Sequence, residues 1–365
     1  MIDFEPSEEQ QLIIDTVRQF ATNEIRKAAR DADEVAALPA AVLERAHALG
    51  LVSNALPEAY GGGGARSAVT GTLAGEELAY GDLAIALAVL SPTLVALPVA
   101  DFGSEEQKKT WLPRFAGERY LPGSLALVEP VFRFDPLHPT TTAKRDGGEF
   151  VLEGTKCFVP WQEGVETLLV IAALDGAAQG FLVPRDAPGL SAEREKNLGI
   201  RGLPTARIGL RGVRVPASAK LGGEAARDDA AVRSLVNRGR VALAACAVGV
   251  ARAAFEIARD YAKERKTFGA PIATRQAIAF KLADMAIEID GLRLLTWEAA
   301  WRLDQGHDAT REAAIARHQA VRVALEVADG AVQVLGGHGY IRDYLPEMQL
   351  RNARGFCTFE ALSLI

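Results

Sequence analysis

The chain is poor in the residues that usually announce a site. Three cysteines occur in 365 residues, Cys157, Cys246 and Cys357. They are odd in number and far apart, which excludes a disulfide framework and a cysteine-rich zinc site and fits a reducing cytoplasm. The five histidines, His47, His138, His307, His318 and His338, show no metal-ligand spacing. There is no excess of positive charge: 41 Lys and Arg stand against 47 Asp and Glu. The net charge of -6 carries no basic footprint for nucleic acid. No basic-then-apolar leader opens the chain, and no Walker loop, G-x-S-x-G elbow or helix-opening G-x-G-x-x-G is present. The longest uncharged run covers residues 83–100, "LAIALAVLSPTLVALPVA", and Pro92 and Pro98 interrupt it. We therefore expect buried core helices there and no membrane span.

What is present falls into three textures. Residues 1–120 read as an N-terminal helical domain. "SEEQQLIIDTVRQFATNEI" has Ser7 as a cap and apolar residues at three- and four-residue spacing. "SEEQKKTWLPRFAGE" is a second capped helix, and "LPEAYGGGG" a loop. Residues 121–227 turn to short β-rich runs such as "TLLVIAAL" and "QGFLVPRD", with a turn signal at Asp146-Gly147-Gly148. They predict a small β-barrel or sandwich. Residues 228–365 are helical again, in long Ala-rich periodic segments that suit an antiparallel bundle. Helical, then β, then helical is an α+β architecture.

Local motifs are ambiguous alone. "LGGHGY" could bring backbone N–H groups to a phosphate, or simply end a helix. "ERKTFGAPI" could hold a phosphate and cover a ring, or connect two helices. Cys246 lies in the apolar run "VALAACAVGV" and reads as packing.

Seven motifs in a fixed order resolve the ambiguity: "LPEAYGGGG", "FGSEEQKKTWLPRFAGE", "VLEGTKCF", "FLVPRDAPGL", "NLGIRGLPTARIGLRGVRVPASAKLG", "YAKERKTFGAPIATRQAIAFKLADM" and "QVLGGHGYIRDYLPE". Along nearly its whole length the chain resembles the acyl-CoA dehydrogenase family. The resemblance implies an N-terminal helical domain, a middle β-barrel and a C-terminal four-helix bundle. It also implies FAD as cofactor, an acyl-CoA substrate, and electron-transfer flavoprotein or a similar electron acceptor. The expected assembly is a homotetramer, or a heterotetramer with a homologous chain.

The same resemblance assigns residues. Arg265, Phe268 and Gln276 match positions that reach the FAD of an adjacent subunit. Gln333, Gly336 and Gly337 match positions near its adenosine-diphosphate portion. Val128 and Phe158 match positions at the flavin. Family members carry the catalytic base either after a "RDAR" element or on the first bundle helix before an Arg. Here those places hold Glu360, in "RNARGFCTFEAL", and Gly239. Glu360 is thus the expected base for α-proton abstraction, as hydride passes from the β-carbon to flavin N5. Val236, Asn237 and Arg240 are expected near the acyl group.

The chain departs from the family at the flavin. The usual "T-E-P-x-A-G-S-D" is "VEPVFRFD", so Val128 replaces a hydroxyl and Phe132 and Phe134 fill a small turn. The usual "W-I-T/S-N" is "FVPW", with Pro160 in place of a donor, and Ala361-Leu362 replaces Gly-Thr after the base. These departures leave two further readings open. One is a non-catalytic or half-site subunit of a mixed complex, and the other a flavin oxidase or monooxygenase on the same fold.

Overall fold

The computed structural model describes residues 5–223 and 229–365. The expected boundary between residues 227 and 228 lies outside the described residues.

Helix α1 (Glu8–Phe20) starts where Ser7 and Gln10 form a reciprocal capping box, and a π-turn, Ala21–Ile25, joins it to α2 (Arg26–Val35). After α3 (Ala40–His47) come α4 (Ala68–Gly81), α5 (Leu83–Leu90), α6 (Thr93–Phe102) and α7 (Glu105–Phe115). Helix α7 repeats the capping box with Ser104 and Gln107. The uncharged run becomes α5 and α6. The stretch Leu83–Phe102 is long and apolar enough to cross a membrane, but 94% of its 18-residue apolar window is buried inside the protein. Pro92 caps α6, where no N–H is missed.

Among the described residues seven strands follow: β1 (Ser124–Ala126), β2 (Thr142–Asp146), β3 (Glu149–Pro160), β4 (Thr167–Leu174), β5 (Ala177–Pro184), β6 (Leu190–Arg194) and β7 (Thr205–Pro216). They form one sheet in the order β1-β4-β2-β3-β7-β6, with β5 paired to β4. The Asp146-Gly147-Gly148 signal is the β2–β3 hairpin, with Gly147 at φ 60°. All strands contribute to one apolar core that includes Phe150, Val170, Phe181 and Ile208. Strand β4 is buried on both faces. Leu168 and Val170 belong to that core, whereas Leu169 and Ile171 belong to a second apolar cluster with Leu94 and Val95 of α6. This explains why "TLLVIAAL" is continuously apolar rather than alternating.

The last segment holds α8 (Ala230–Glu264), a short hairpin of β8 (Lys266–Thr267) and β9 (Ala270–Pro271), α9 (Gln276–Asp304), α10 (Thr310–Leu335), α11 (Gly337–Tyr340) and α12 (Pro346–Gly355). Helices α8, α9 and α10 pack together, with α12 as a short fourth against α8 and α10. Small residues set the spacing. A Cβ on Gly249 would lie 2.2 Å from the Glu76 carbonyl oxygen, so α4 crosses α8 at backbone contact. Beside that crossing, Glu77 binds Arg18 of α1 (2.8 Å) and Arg252 of α8 (2.5 Å), and Glu76 binds Arg252 (2.8 Å) and Arg293 of α9 (2.9 Å). Burial works against the Glu77 charge, but Arg252 and Arg18 hold its carboxyl below the usual range. These pairs fix four helices relative to one another. Cys246 is fully buried in α8, and burial pushes its thiol up to about 12, which leaves it as packing.

Candidate active site

Glu360 lies just beyond α12. The turn before it is closed by Thr358 and Phe359 N–H groups, both donating to the Gly355 carbonyl (2.9 and 3.0 Å). The Phe359 ring covers Gly355, where a Cβ would fall 2.0 Å from the ring, and meets Phe356 edge-on at 6.0 Å. The neighbouring Phe359 anchors Glu360, whose carboxylate is left partly open, with its side chain 14% exposed.

Two cations face that carboxylate from two helices. Arg240 of α8 donates from Nε to Oε1 at 2.7 Å, and Arg317 of α10 places Nε 3.4 Å from Oε2. Arg317 also donates from Nη2 to the Phe359 carbonyl. Burial pushes the Arg317 guanidinium below its ordinary value, and Glu360 opposes that shift. Val236, one turn before Arg240, is buried in the apolar cluster that also holds Ala361 and Leu364. Asn237 turns elsewhere, its amide donating to Thr310 Oγ1 of α10 at 3.0 Å.

The alternative position is occupied by the chain itself. A Cβ on Gly239 would lie 2.9 Å from both Cα and Cβ of Ala361. Residues 361–365 then run inward, all buried. Leu364 N–H donates to Thr93 Oγ1 of α6 (3.1 Å), and Arg238 donates to the Ile365 carbonyl oxygen (2.8 Å).

The segment after β1 carries a second buried ion pair. Glu129 accepts from Lys156 Nζ (2.8 Å), from Thr140 N and Oγ1 (both 2.7 Å) and from Thr141 N (2.8 Å). Burial opposes the Glu129 charge, but Lys156 and these donors hold its carboxyl down at about 2. Burial lowers Lys156 to about 8 against the pull of Glu129, so both are charged at neutral pH. Lys156 also donates to the Leu127 carbonyl (3.1 Å), and Cys157 N–H to the Val128 carbonyl (2.9 Å). Val128 is buried, and Phe158, at φ 52°, donates its N–H to Glu195 (3.0 Å). Pro160 ends β3 opposite Thr205, and its carbonyl accepts from Ser124 Oγ (2.7 Å). Phe134 packs on the apolar cluster that holds Val236, whereas Phe132 is 99% exposed.

The other expected binding residues gather at the far end of the bundle. Arg265 caps α8, Phe268 tips the β8–β9 hairpin, and Gln276 opens α9. Gln333 lies in the last turn of α10, before Gly336 and Gly337. Tyr261 of α8 bonds His338 of α11 at 3.0 Å, which ties the two groups together. From Arg240 to Arg265 is 25 residues of sequence along α8, or about 37 Å at 1.5 Å per residue.

The family models for "Acyl-CoA dehydrogenase, N-terminal domain", "middle domain" and "C-terminal domain" match residues 7–119, 124–213 and 230–360. The chain belongs to the acyl-CoA dehydrogenase family. It is 38% identical to the probable acyl-CoA dehydrogenase YngJ of Bacillus subtilis, over 97% of this chain and 94% of that protein. Among solved structures, butyryl-CoA dehydrogenase from Megasphaera elsdenii has a TM-score of 0.89 at 30% identity, covering 98% of this chain and 96% of that one. A glutaryl-CoA dehydrogenase from Mycobacterium smegmatis, in complex with FADH2, has a TM-score of 0.89 at 31% identity, covering 97% and 91%.

The acyl-CoA dehydrogenases are FAD-dependent oxidoreductases, and the surfaces of this chain fit such a group. Phe268 is 99% exposed at φ 51° in a tight hairpin turn. A left-handed backbone costs a non-glycine residue about 1–2 kcal/mol, so this bare aromatic ring is poorly placed for the stability of an isolated chain. A Cβ at Gly336 or Gly337 would meet nothing within 4 Å, which leaves their backbone open to an approaching group.

Sequence reasoning missed Arg317, Thr93 and the Glu129–Lys156 pair. Arg317 had a signal. It falls in the buried stripe of α10 with Ala313, Ala316 and Ala320, where a cation calls for a partner. Lys156 is likewise a lone inward cation on an apolar strand. Nothing in the spacing marks Thr93.

Proposed function

We propose that the chain is an FAD-dependent acyl-CoA dehydrogenase in which Glu360 removes the α-proton of an acyl thioester. The observation that carries this reading is the partly open Glu360 carboxylate, held by Arg240 and Arg317 beside the apolar surface of Val236. Bound FAD would supply the hydride acceptor for the β-hydrogen, giving a 2,3-enoyl-CoA. Glu360 takes the proton; Arg240 and Arg317 orient its two oxygens and balance its charge. Val128 and Phe158 would lie at the flavin ring, with their backbone set by the Glu129–Lys156 pair.

Within one chain, Arg265, Phe268, Gln276, Gln333, Gly336 and Gly337 are too remote to serve the ring end of the flavin at Glu360. They would instead hold the FAD of an adjacent subunit, Arg265 on its pyrophosphate. A second feature supports assembly. Phe280, Ile287, Leu294 and Trp301 recur every seven residues along α9, and all are exposed. We assign this stripe to subunit contacts of a homotetramer, or of a heterotetramer with a homologous chain. Electrons would leave to electron-transfer flavoprotein or a similar acceptor.

Anaerobic titration with acyl-CoA tests the base. Glu360→Gln should keep its flavin and fail to bleach it; bleaching at the parent rate refutes the assignment. The half-site reading draws on Val128 and Leu362, which bring no hydroxyl, and on Pro160, which brings neither a hydroxyl nor an N–H. It predicts little flavin in the chain purified alone, and one FAD per chain refutes it.

A further inference from the structure

One stretch of β3 departs from regular pairing. Lys156 faces Ile208 of β7 and Val159 faces Ala206, so β3 carries one residue more than β7 between these two pairs. The bulge is Cys157-Phe158. Cys157 is buried, and its N–H donates to the Val128 carbonyl (2.9 Å). Phe158 stands at φ 52°, in the left-handed region that disfavours a bulky side chain. Its ring is half-buried and joins none of the apolar clusters formed by the described residues. Packing therefore does not account for this backbone. A carboxylate holds it. Glu195, the first residue after β6, accepts the Phe158 N–H at Oε2 (3.0 Å) and the Thr205 hydroxyl at the same oxygen (2.9 Å). Glu195 is fixed in turn. Its own N–H donates to the Thr205 carbonyl (2.9 Å), and Asn197 Nδ2 donates to Thr205 Oγ1 (2.9 Å). Three polar residues around the β6–β7 connection thus converge on one strained peptide N–H.

We propose, on the reading of Val128 and Phe158 as neighbours of the flavin ring, that Glu195 is a positioning residue for the cofactor: it holds the Cys157-Phe158 bulge in the shape that receives that ring. Strain of this kind persists only where the surroundings over-determine it, and it gathers at ligand sites. Bulges likewise re-aim side chains beside active sites. The bulge also joins the two expected flavin neighbours, because Cys157 N–H ties the Val128 backbone to the residue before Phe158. The Glu129–Lys156 pair anchors β3 up to the bulge, and Glu195 governs the residue that the pair does not reach. Without its acceptor, the Phe158 backbone would leave the left-handed region, which is disfavoured about 5- to 30-fold in a non-glycine residue. The bulge would then have to be rebuilt each time FAD binds.

Cofactor binding, rather than turnover, tests this. Titration of FAD into the flavin-stripped chain, followed by flavin fluorescence, gives a Kd without any substrate. Glu195→Ala should raise that Kd about tenfold, because only the fraction of chains with a left-handed residue 158 is ready to bind. Glu195→Gln keeps an oxygen acceptor and should restore most of the affinity. Phe158→Gly supplies a second rescue. Glycine adopts both hands about equally, so adding Glu195→Ala to Phe158→Gly should cost about twofold rather than tenfold. Thr205→Val loosens the Glu195 carboxylate and should raise Kd in the same direction, which tests the idea even where the alanine variant folds poorly. Unchanged Kd in both Glu195→Ala and Thr205→Val overturns the proposal. So does an equal loss from Glu195→Ala in the parent and Phe158→Gly backgrounds, or an equal loss in Glu195→Gln and Glu195→Ala. A parent chain that takes up no FAD overturns it together with the reading it rests on. The expected pattern in a protein that desaturates nothing supports Glu195 and refutes Glu360 as the base.

Discussion

Gly239→Ala is a small change with separable effects on stability and rate. The added Cβ would lie 2.9 Å from Cα and Cβ of Ala361 and 3.4 Å from Leu364 Cδ2. Ordinary carbon contacts begin near 3.5–4.0 Å, so the segment must retreat by about 0.6 Å or more. Overpacking costs typically about 1–3 kcal/mol. Replacing a mid-helix glycine with alanine returns about 1 kcal/mol, which leaves a net loss of about 0–2 kcal/mol. The effect on rate is larger, because Glu360 is bonded to the residue that moves. A misplacement of about 1 Å can cost about 100-fold, so we expect kcat to fall about tenfold or more. Ala361→Gly in the same chain should restore much of it. It removes one clashing carbon and suits φ 49°, where alanine is strained. The assays are thermal unfolding and stopped-flow flavin reduction by acyl-CoA. A Gly239→Ala protein with parent stability and parent rate would show that residues 361–365 do not pack against α8, and the reasoning about Glu360 would fall with it.

Three other perturbations test separate parts of the structure. Asp82 caps α5 through the Ile85 N–H (2.9 Å), and burial pushes its carboxyl up to about 6. A raised folded-state value means stability present in full below about pH 4 and lost as pH rises through 6, about 3 kcal/mol in all. Asp82→Asn keeps the cap acceptor, so it should stabilise the chain at pH 8 and flatten the urea-denaturation profile between pH 4 and 7; an unchanged profile refutes the assignment. Lys156→Met leaves Glu129 buried without its cation and should cost about 3–5 kcal/mol in urea unfolding. Adding Glu129→Gln should recover most of the loss, and full additivity of the two would refute the coupling. Phe268→Gly relaxes a left-handed turn and should leave monomer stability equal or higher, while FAD retained per chain falls. Parent FAD occupancy would remove Phe268 from the cofactor surface.

Much of the architecture was legible because local and long-range signals agree. Ser7 and Ser104 cap helices by the box that their spacing announces. The uncharged run folds into core helices broken at Pro92, and the Gly147-Gly148 turn is a hairpin. The site was less legible, because its parts come from segments far apart in sequence. Residues 240, 317 and 360 lie on two helices and a loop, and no local period connects them. Composition marks Arg317 only as a cation out of place; the fold supplies its partner.

The pair of possible base positions shows the difference most clearly. In sequence, Gly239 and Glu360 are two unrelated places, one of which holds an acid. In the structure they face each other, with the residue after Glu360 against the α-carbon of Gly239. A side chain at 239 would occupy the space through which residues 361–365 pass inward. An acid there and this inward course are therefore sterically incompatible, and the absence of a side chain at 239 is a condition for Glu360 to stand where it does. One glycine thus permits the proposed base, and a larger residue at 239 should disturb proton abstraction through the displaced Ala361.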